Sequence, residues 1–351
     1  MNRAEKADLL RRLAAERILV KDGPYGSMIQ SYGLDEPGFR GGQTFRNDQK
    51  GNNDLLNATR PDVINEICDA YLEAGADIVA TNTFNANAIS QADYGLETMV
   101  REINVAAATL TCAAADRWKA RTPDKPRFVA GALGPTNKTL SVSPDVNNPG
   151  YRAVSFDEVK GVYREQIDGL LDGGVDFILI ETVFDTLNAK AAIVAADEAA
   201  EARGEELPVM VSMTLTDLAG RNISGQTVEA FWHSVRHVRP LTMGMNCSFG
   251  ATELHPYVGV LNAHVDTLLC VYPNAGLPND MGAYDEAPEI TARHVRGWAE
   301  SGWLNVVGGC CGTTPAHIRA IAEAVRGLPP RRPATLPPAL RLSGMEAASF
   351  F

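Results

Sequence analysis

Short apolar runs rich in β-branched residues alternate with longer amphipathic stretches along most of the chain. The amphipathic stretches, such as 61–76, 156–174 and 314–327, have helical periodicity and follow most of the apolar runs. Strands that alternate with helices in this way form parallel sheets. The apolar runs predict eight strands, over residues 18–23, 77–84, 127–135, 176–182, 208–215, 242–247, 267–274 and 304–311.

Eight strand–helix units favour one fold class, an α/β protein built as a closed (β/α)8 or TIM barrel over residues 1–327. The alternative is a doubly wound open sheet, which usually has fewer strands, and no G-x-G-x-x-G sequence opens the first unit here. Residues 328–351 begin with "LPPRRPATLPPAL", which predicts a Pro-rich C-terminal tail or linker that leaves the barrel in an extended conformation.

Two predicted connections are unusually long. Residues 24–60 follow the first strand and residues 134–155 follow the third, so both lie on the face where barrel enzymes build their active sites. Loops of this length are often functional, although both stretches are also rich in turn residues and are compatible with plain surface loops. The pattern alone leaves these two interpretations open.

The amino-acid composition argues against some classes of binding partner. Of the 351 residues, 45% are hydrophobic and 7% aromatic, which suits helices packed on buried parallel strands. The net charge is −11 and no Lys/Arg cluster is free of acidic residues, so neither nucleic acid nor an anionic membrane is an expected partner. There is no apolar run of transmembrane length, residues 1–17 have the pattern of a charged helix, and the six cysteines are sparse. We therefore expect a cytoplasmic protein with reduced thiols.

Three cysteines stand at predicted strand ends. Cys247 ends the sixth strand, and the adjacent Cys310 and Cys311 end the eighth. In a closed barrel these ends are separated by one strand, so the three sulfur atoms can converge. Three thiolates suit zinc with an open fourth position, which is typical of a catalytic site. A redox-active pair at 310–311 is an alternative to zinc.

The other cysteines are Cys68, Cys112 and Cys270, and for them we favour buried structural roles, because they lie inside helical or strand patterns. Around the adjacent pair, Gly312 allows a left-handed backbone, and Thr314 and Pro315 predict the start of the last helix. A zinc ion with an open position can hold a substrate thiol as thiolate for alkylation. Activation of water for hydrolysis is the competing use.

Polar residues end other predicted strands. Asp22 ends the first and Glu181 the fourth, and two carboxylates on one rim could together hold an ammonium group. The alternative is that each accepts hydrogen bonds from neighbouring backbone amides. Thr83 and Asn274 add neutral polar groups at the ends of the second and seventh strands.

At this point the motifs resemble a known family. The chain is similar to the homocysteine-binding, N-terminal barrel of cobalamin-dependent methionine synthase, and more broadly to the zinc-dependent homocysteine S-methyltransferases. The resemblance runs from about residue 18 to residue 326, and "GMNCSFG" with "GGCCGTTP" is its most specific part. The other matching segments are "DGPYGSMIQ", "KGNNDLL", "EAGADIVATNTFNAN", "GALGPTNKT", "LIETVFDTLNAKAA" and "YPNAGLPN".

The resemblance implies a role for each candidate residue. It implies that the three strand-end cysteines bind Zn²⁺, whose open position takes the homocysteine sulfur. It also implies that Asp22 and Glu181 lie near the homocysteine amino group, that Gly23 and Thr83 neighbour its carboxylate, and that Asn274 lies near the metal.

The methyl donor is a separate question. The chain has no D-x-H-x-x-G corrinoid signature, and it stops where the resemblance places the linker to a folate-binding module. The resemblance therefore implies that methylcobalamin is held by a corrinoid-binding partner module, in trans or in cis, and that methionine is formed. The first alternative is a self-contained methyltransferase that uses betaine or S-methylmethionine. An alternative of another class is a non-catalytic zinc-binding scaffold barrel.

Overall fold

The computed structural model describes residues 1–351, and its centre is one sheet of eight parallel strands. From β2 to β8 each strand pairs with its neighbours in the chain, and β8 pairs with β1 in the register Leu19↔Val306. The strands are β1 (Leu19–Val20), β2 (Ile78–Ala80), β3 (Phe128–Leu133), β4 (Phe177–Val183), β5 (Val209–Met213), β6 (Thr242–Gly250), β7 (Leu268–Asn274) and β8 (Val306–Val307).

The barrel closes between β1 and β2. Lys21 forms a parallel bridge with Ile78, and the Asp22 N–H donates to the Ile78 carbonyl at 2.9 Å. The fold is therefore the (β/α)8 barrel that the sequence predicts, and each predicted strand is present. β1 and β8 are the shortest strands, because the chain leaves the sheet at Gly23 and at Gly308.

Thirteen helices accompany the strands, and eight of them, α5 and α7–α13, form the outer ring. The helices are α1 (Arg3–Glu16), α2 (Tyr25–Ser31), α3 (Glu36–Arg40), α4 (Leu56–Thr59), α5 (Pro61–Ala74), α6 (Ala88–Gln91), α7 (Val100–Arg121), α8 (Phe156–Asp172), α9 (Thr186–Arg203), α10 (Val228–Val235), α11 (Ala251–His264), α12 (Pro288–Glu300) and α13 (Pro315–Val325). Four short 3-10 helices lie at Asn53–Leu55, Ala92–Tyr94, Glu97–Met99 and Arg236–Val238.

The apolar core has two layers. The larger lies between the strands and the outer helices. The smaller fills the barrel interior, where Phe128 and Phe177 stack with ring centroids 5.7 Å apart. Helix α1 closes the N-terminal end of this interior with Ala7, Leu10 and Ala14. The opposite, C-terminal end remains available for a site, and it carries the long connections 24–60 and 134–155.

The C-terminal segment differs from the predicted extended tail. Residues Leu340–Ser343 (β9) and Ala347–Phe350 (β10) form an antiparallel hairpin that packs against α10. The segment before it is held by Arg331, a buried side chain that donates to the carbonyls of Thr267 and Asn262. Proline pairs precede these strands, and apolar and polar positions alternate only over the last residues. The sequence pattern therefore did not predict the hairpin.

None of the helices is both long enough and apolar enough to serve as a membrane span.

Candidate active site

The sulfur atoms of Cys247, Cys310 and Cys311 converge at the C-terminal end of the barrel, all within 4.8 Å of one another. The Cys247 and Cys311 sulfurs are 3.8 Å apart, and neither residue is in a disulfide. A tetrahedral zinc site with Zn–S bonds of about 2.3 Å requires sulfur atoms separated by about 3.8 Å. The thiols therefore fit zinc in number, chemistry and spacing.

The backbone around these cysteines is strained. Cys247 and Ser248 have φ of 63° and 61°, in the left-handed region that residues with a side chain rarely adopt. Thr182, directly after Glu181, has φ of 57°. The register of β6 against β7 shifts between Asn246 and Gly250, so the strand turns its cysteine out of the regular ladder. Such conformations cost about 1–3 kcal/mol each and persist where surrounding structure holds them, commonly at functional sites.

The turn after β8 has the form that the sequence predicts. Gly312 has φ of 77°, and a Cβ atom there would lie 2.2 Å from the Cβ of Tyr284. Pro315 is the first residue of α13, and the Thr314 N–H donates to His317 Nδ1 at 3.2 Å. Only glycine therefore allows the Tyr284 loop to pack over the cysteine pair.

Hydrogen bonds polarise the thiol cluster. Contacts with Cys310 and Cys311 lower the pKa of Cys247, and the same contact with Cys247 raises the pKa of its two neighbours. These contacts therefore favour the thiolate form at Cys247 over its two neighbours. The amide of Asn274 also favours the Cys247 thiolate, while Asn274 Oδ1 is buried without a hydrogen-bond partner. A cation at the sulfurs would stabilise their thiolate forms.

A cavity of about 260 Å³ lies against the cysteines, slightly smaller than the roughly 300–1,000 Å³ usual for small-molecule sites. Its walls come from the loop after β1, from the ends of β2 and β4, and from β7. Besides the cysteines, its lining includes Lys21, Asp54, Phe84, Glu181 and Tyr272.

Three charged side chains meet at one end of the cavity. Lys21 Nζ donates to Asp22 Oδ1 at 2.8 Å and lies 4.5 Å from the centroid of the Tyr272 ring. The Tyr272 hydroxyl donates to Glu181 Oε2 at 3.1 Å. Burial alone would lower the pKa of Lys21, but the charges of Asp22 and Glu181 outweigh it, so the pKa is raised and Lys21 stays cationic. Burial raises the pKa of both carboxyl groups, and the Lys21 charge opposes that shift.

Asp54 is a further buried carboxyl group on the cavity wall. Its Oδ1 accepts from the Asn85 N–H at 2.9 Å, and no basic side chain forms a salt bridge with it. Burial raises its pKa to about 7. This wall therefore changes charge near neutral pH.

The predicted site residues all lie in or beside this region. Gly23 and Glu181 line the cavity, whereas Asp22 and Asn274 are buried beside it without lining it. Thr83 reaches the cavity wall, but its hydroxyl donates to the Ala132 carbonyl at 2.7 Å and is not free for a ligand.

Sequence reasoning missed four side chains that lie at or beside the site: Lys21, Asp54, Tyr272 and Tyr284. Lys21 had a detectable signal, because a charged residue inside the apolar run "ILVKDG" must find a partner when it is buried. The other cysteines take no part in the cluster. Burial raises the pKa of Cys68, Cys112 and Cys270 to about 12, so these thiols are inert.

Comparisons with known proteins agree with this geometry. The sequence model of the family described as "Homocysteine S-methyltransferase" matches residues 19–325. Crystal structures of the homocysteine methyltransferase MmuM from Escherichia coli are similar in fold. The oxidized form has a TM-score of 0.69 at 22% identity and covers 90% of this chain and 98% of its own. The metallated form has a TM-score of 0.68 at 22% identity, with coverages of 89% and 98%.

Proposed function

Since the chain belongs to the homocysteine S-methyltransferase family and is a methyltransferase, we propose that it uses zinc to methylate the sulfur of homocysteine with methylcobalamin as donor, forming methionine. The observation that carries the proposal is the convergence of three cysteine sulfurs on the wall of a small cavity. In the reaction the thiol releases its proton to solvent and its sulfur forms a bond to the methyl carbon, while the donor–methyl bond breaks and leaves its electron pair on the donor.

Cys247, Cys310 and Cys311 are the residues that would hold the metal. Bound zinc supplies an open coordination position that stabilises a substrate thiol as its nucleophilic thiolate, although a free thiol has a pKa of about 8.5. The donor set supports this assignment, and so does the unpartnered Asn274 Oδ1 beside Cys247. One of the similar crystal structures is described as metallated, which is in keeping with a metal site in the family.

The chain's own groups would orient the amino acid. The carboxylate of Glu181 reaches the cavity and would accept from the substrate ammonium, with Asp22 close by and Tyr272 fixing the Glu181 orientation. The Gly23 backbone and Thr83 lie on the same wall and are our candidates for neighbours of the substrate carboxylate. When these groups bind the amino and carboxylate groups of homocysteine, its sulfur is directed toward the cysteines.

The size of the cavity supports a donor held outside this chain. A space of about 260 Å³ admits one small amino acid, whereas a corrinoid is several times larger. A corrinoid-binding module, in trans or in cis, would therefore present its methyl group over the C-terminal end of the barrel. A folate-binding module would recharge the corrinoid.

A self-contained methyltransferase that uses betaine or S-methylmethionine is the second candidate. The observation that favours it is a wall with Asp54 and the ring of Phe84, since a carboxylate and an aromatic face together suit a cationic methyl donor. The non-catalytic scaffold is disfavoured, because a structural zinc site is normally closed by four protein ligands.

The deciding experiment follows methyl transfer by the zinc-loaded chain. We expect homocysteine to demethylate free methylcobalamin slowly, seen as a change in cobalamin absorbance together with methionine formation. A corrinoid-loaded partner should accelerate the reaction by raising the effective concentration of the donor. The Cys311→Ser variant serves as the matched control and should be inactive. Rapid methionine formation from betaine or S-methylmethionine, with methylcobalamin left unused, would instead establish the self-contained enzyme. A zinc-loaded chain that is inactive with every donor would support the scaffold.

A further inference from the structure

Lys21 is a buried cation in the middle of the proposed amino-acid subsite. Its side chain is only 3% exposed, and it lies where an incoming ammonium group would otherwise meet two carboxylates. A lysine is almost never buried in this way unless it is paired. Its partner is Asp22, the next residue in the chain, which is fully buried.

Both oxygens of Asp22 are already occupied. Oδ1 accepts from Lys21 Nζ at 2.8 Å, and Oδ2 accepts from the Ala80 N–H at 2.7 Å. Glu181 differs, because only its Oε2 accepts a bond within the chain, from Tyr272. Glu181 also lines the cavity, whereas Asp22 does not. Asp22 therefore has no oxygen without a hydrogen-bond partner, whereas Glu181 has one that a ligand can reach.

The charges at this end of the cavity leave one negative charge uncompensated. Lys21 cancels Asp22, and Glu181 remains. Glu181 is partly buried and has no salt-bridge partner, so one monovalent cationic group would complete the site. Two free carboxylates without the lysine would accept a dication or would need a proton.

We propose that Lys21 is a specificity-determining residue, which withdraws Asp22 from ligand binding so that Glu181 alone takes the substrate ammonium. This inference rests on the proposed function, because it assumes that homocysteine occupies the cavity. It assigns Asp22 an indirect part, as the residue that holds Lys21 in place.

The test compares the single variant Asp22→Asn with the double variant Lys21→Met/Asp22→Asn. In the single variant Lys21 loses its partner and neutralises Glu181 instead, so homocysteine affinity should fall on the order of 30-fold or more. In the double variant Glu181 is again the one uncompensated charge, and most of the lost affinity should return. If Asp22 binds the ammonium directly, the double variant will stay as weak as Asp22→Asn, and the inference is overturned.

A further possibility is that Lys21 binds the substrate carboxylate. Two substrate analogues, one without the carboxylate and one without the amino group, test it. We expect the double variant to bind 3-mercaptopropylamine and 4-mercaptobutanoate with the same ratio of affinities as the unmodified chain. A selective loss of 4-mercaptobutanoate binding would overturn the inference. If the methionine variant does not fold, Lys21→Gln/Asp22→Asn provides a more polar neutral pair for the same comparison.

The chain contains a matched control pair at the other end of the barrel. Asp176 is also buried, pairs with Lys6 and accepts from the Val129 N–H at 2.8 Å. Asp176→Asn and Lys6→Met/Asp176→Asn should leave homocysteine affinity unchanged.

All titrations use cobalt-substituted protein, in which thiolate binding changes the absorption spectrum. If the unmodified chain shows no spectral change with homocysteine, the proposed function fails. If it binds homocysteine but the double variant is not rescued, only the present inference fails.

Discussion

The two ends of the barrel use the same residue types for opposite purposes. At the N-terminal end, Asp77 accepts two bonds from Arg17, at 2.8 and 2.9 Å, and a third from the Val20 N–H. Asp176, just before β4, is likewise bound by Lys6 and by the Val129 N–H of β3. Both carboxylates hold strands and helices together, and neither has a group left for a ligand.

The C-terminal end is incompletely satisfied. Glu181 has one oxygen that accepts no bond within the chain, Asn274 Oδ1 has no partner, and the three thiols lie together on the cavity wall. Three of the four non-glycine residues with positive φ also lie here, at the ends of β4 and β6. The comparison teaches that a buried carboxylate is not itself a mark of function in this fold. The C-terminal end of the barrel is distinguished by polar groups that have no hydrogen-bond partner within the chain.

The largest expected effect concerns the sulfurs. Cys310→Ser should abolish tight zinc binding, with a loss well beyond the roughly 10–100-fold caused by changes around a metal site. Metal analysis after dialysis should give one zinc per unmodified chain and none in the variant. Cys112→Ser, a cysteine outside the cluster, should keep its zinc. Equal zinc in the triple variant at 247, 310 and 311 would refute the site.

The second effect concerns Glu181, the carboxylate with one oxygen free of bonds within the chain. Glu181→Gln should weaken homocysteine binding on the order of 30-fold, because a charge-assisted bond to the ammonium is lost while the shape is kept. Calorimetric titration measures the affinity, and zinc content should not change. Unaltered affinity would mean that Glu181 is not the partner of the ammonium group.

The third effect concerns Asp77, the carboxylate at the N-terminal end whose oxygens are both bonded within the chain. Asp77→Asn should lower the free energy of unfolding by about 2–3 kcal/mol, because the buried carboxylate gives up its charge-assisted hydrogen bonds to Arg17. Urea unfolding measures this loss. Homocysteine affinity should stay the same, and a drop comparable with that of Glu181→Gln would break the contrast between the two ends.

The last effect, absent at low pH and present only as pH rises, is a pH dependence of stability. Since burial raises the pKa of Asp54 from 3.8 to about 7, the folded state retains a proton that the unfolded chain has released. The stabilisation is complete below about pH 4 and is lost as pH rises toward 7. Asp54→Asn should remove this loss and be about 4 kcal/mol more stable than the unmodified chain at pH 8, with little difference near pH 4.

Urea unfolding at the two pH values checks this prediction. Asp48→Asn, at an exposed carboxylate, is the control and should leave the pH dependence intact. An equal gain at both pH values would show that Asp54 does not titrate as its burial implies.

Much of the site followed from position along the chain. Cys247, Cys310 and Glu181 end apolar runs, and in a barrel every such end points to the same face. The runs also marked where each strand begins, to within a few residues. The hairpin over residues 340–350 was not predicted, because prolines precede it and its stability comes from packing against α10.

What the sequence determined by itself is the set of strands, the barrel and the list of polar groups at its C-terminal end. Alternation of apolar and polar residues is a local property, and it sets which face each strand buries. What only the tertiary structure decided is which of those groups are satisfied. Tyr272 reaches Glu181 from 91 residues away, and Lys21 turns to its neighbour Asp22 because both are sealed between β1 and β2. Such pairings depend on the closure of the barrel, which brings distant strand ends within hydrogen-bond distance.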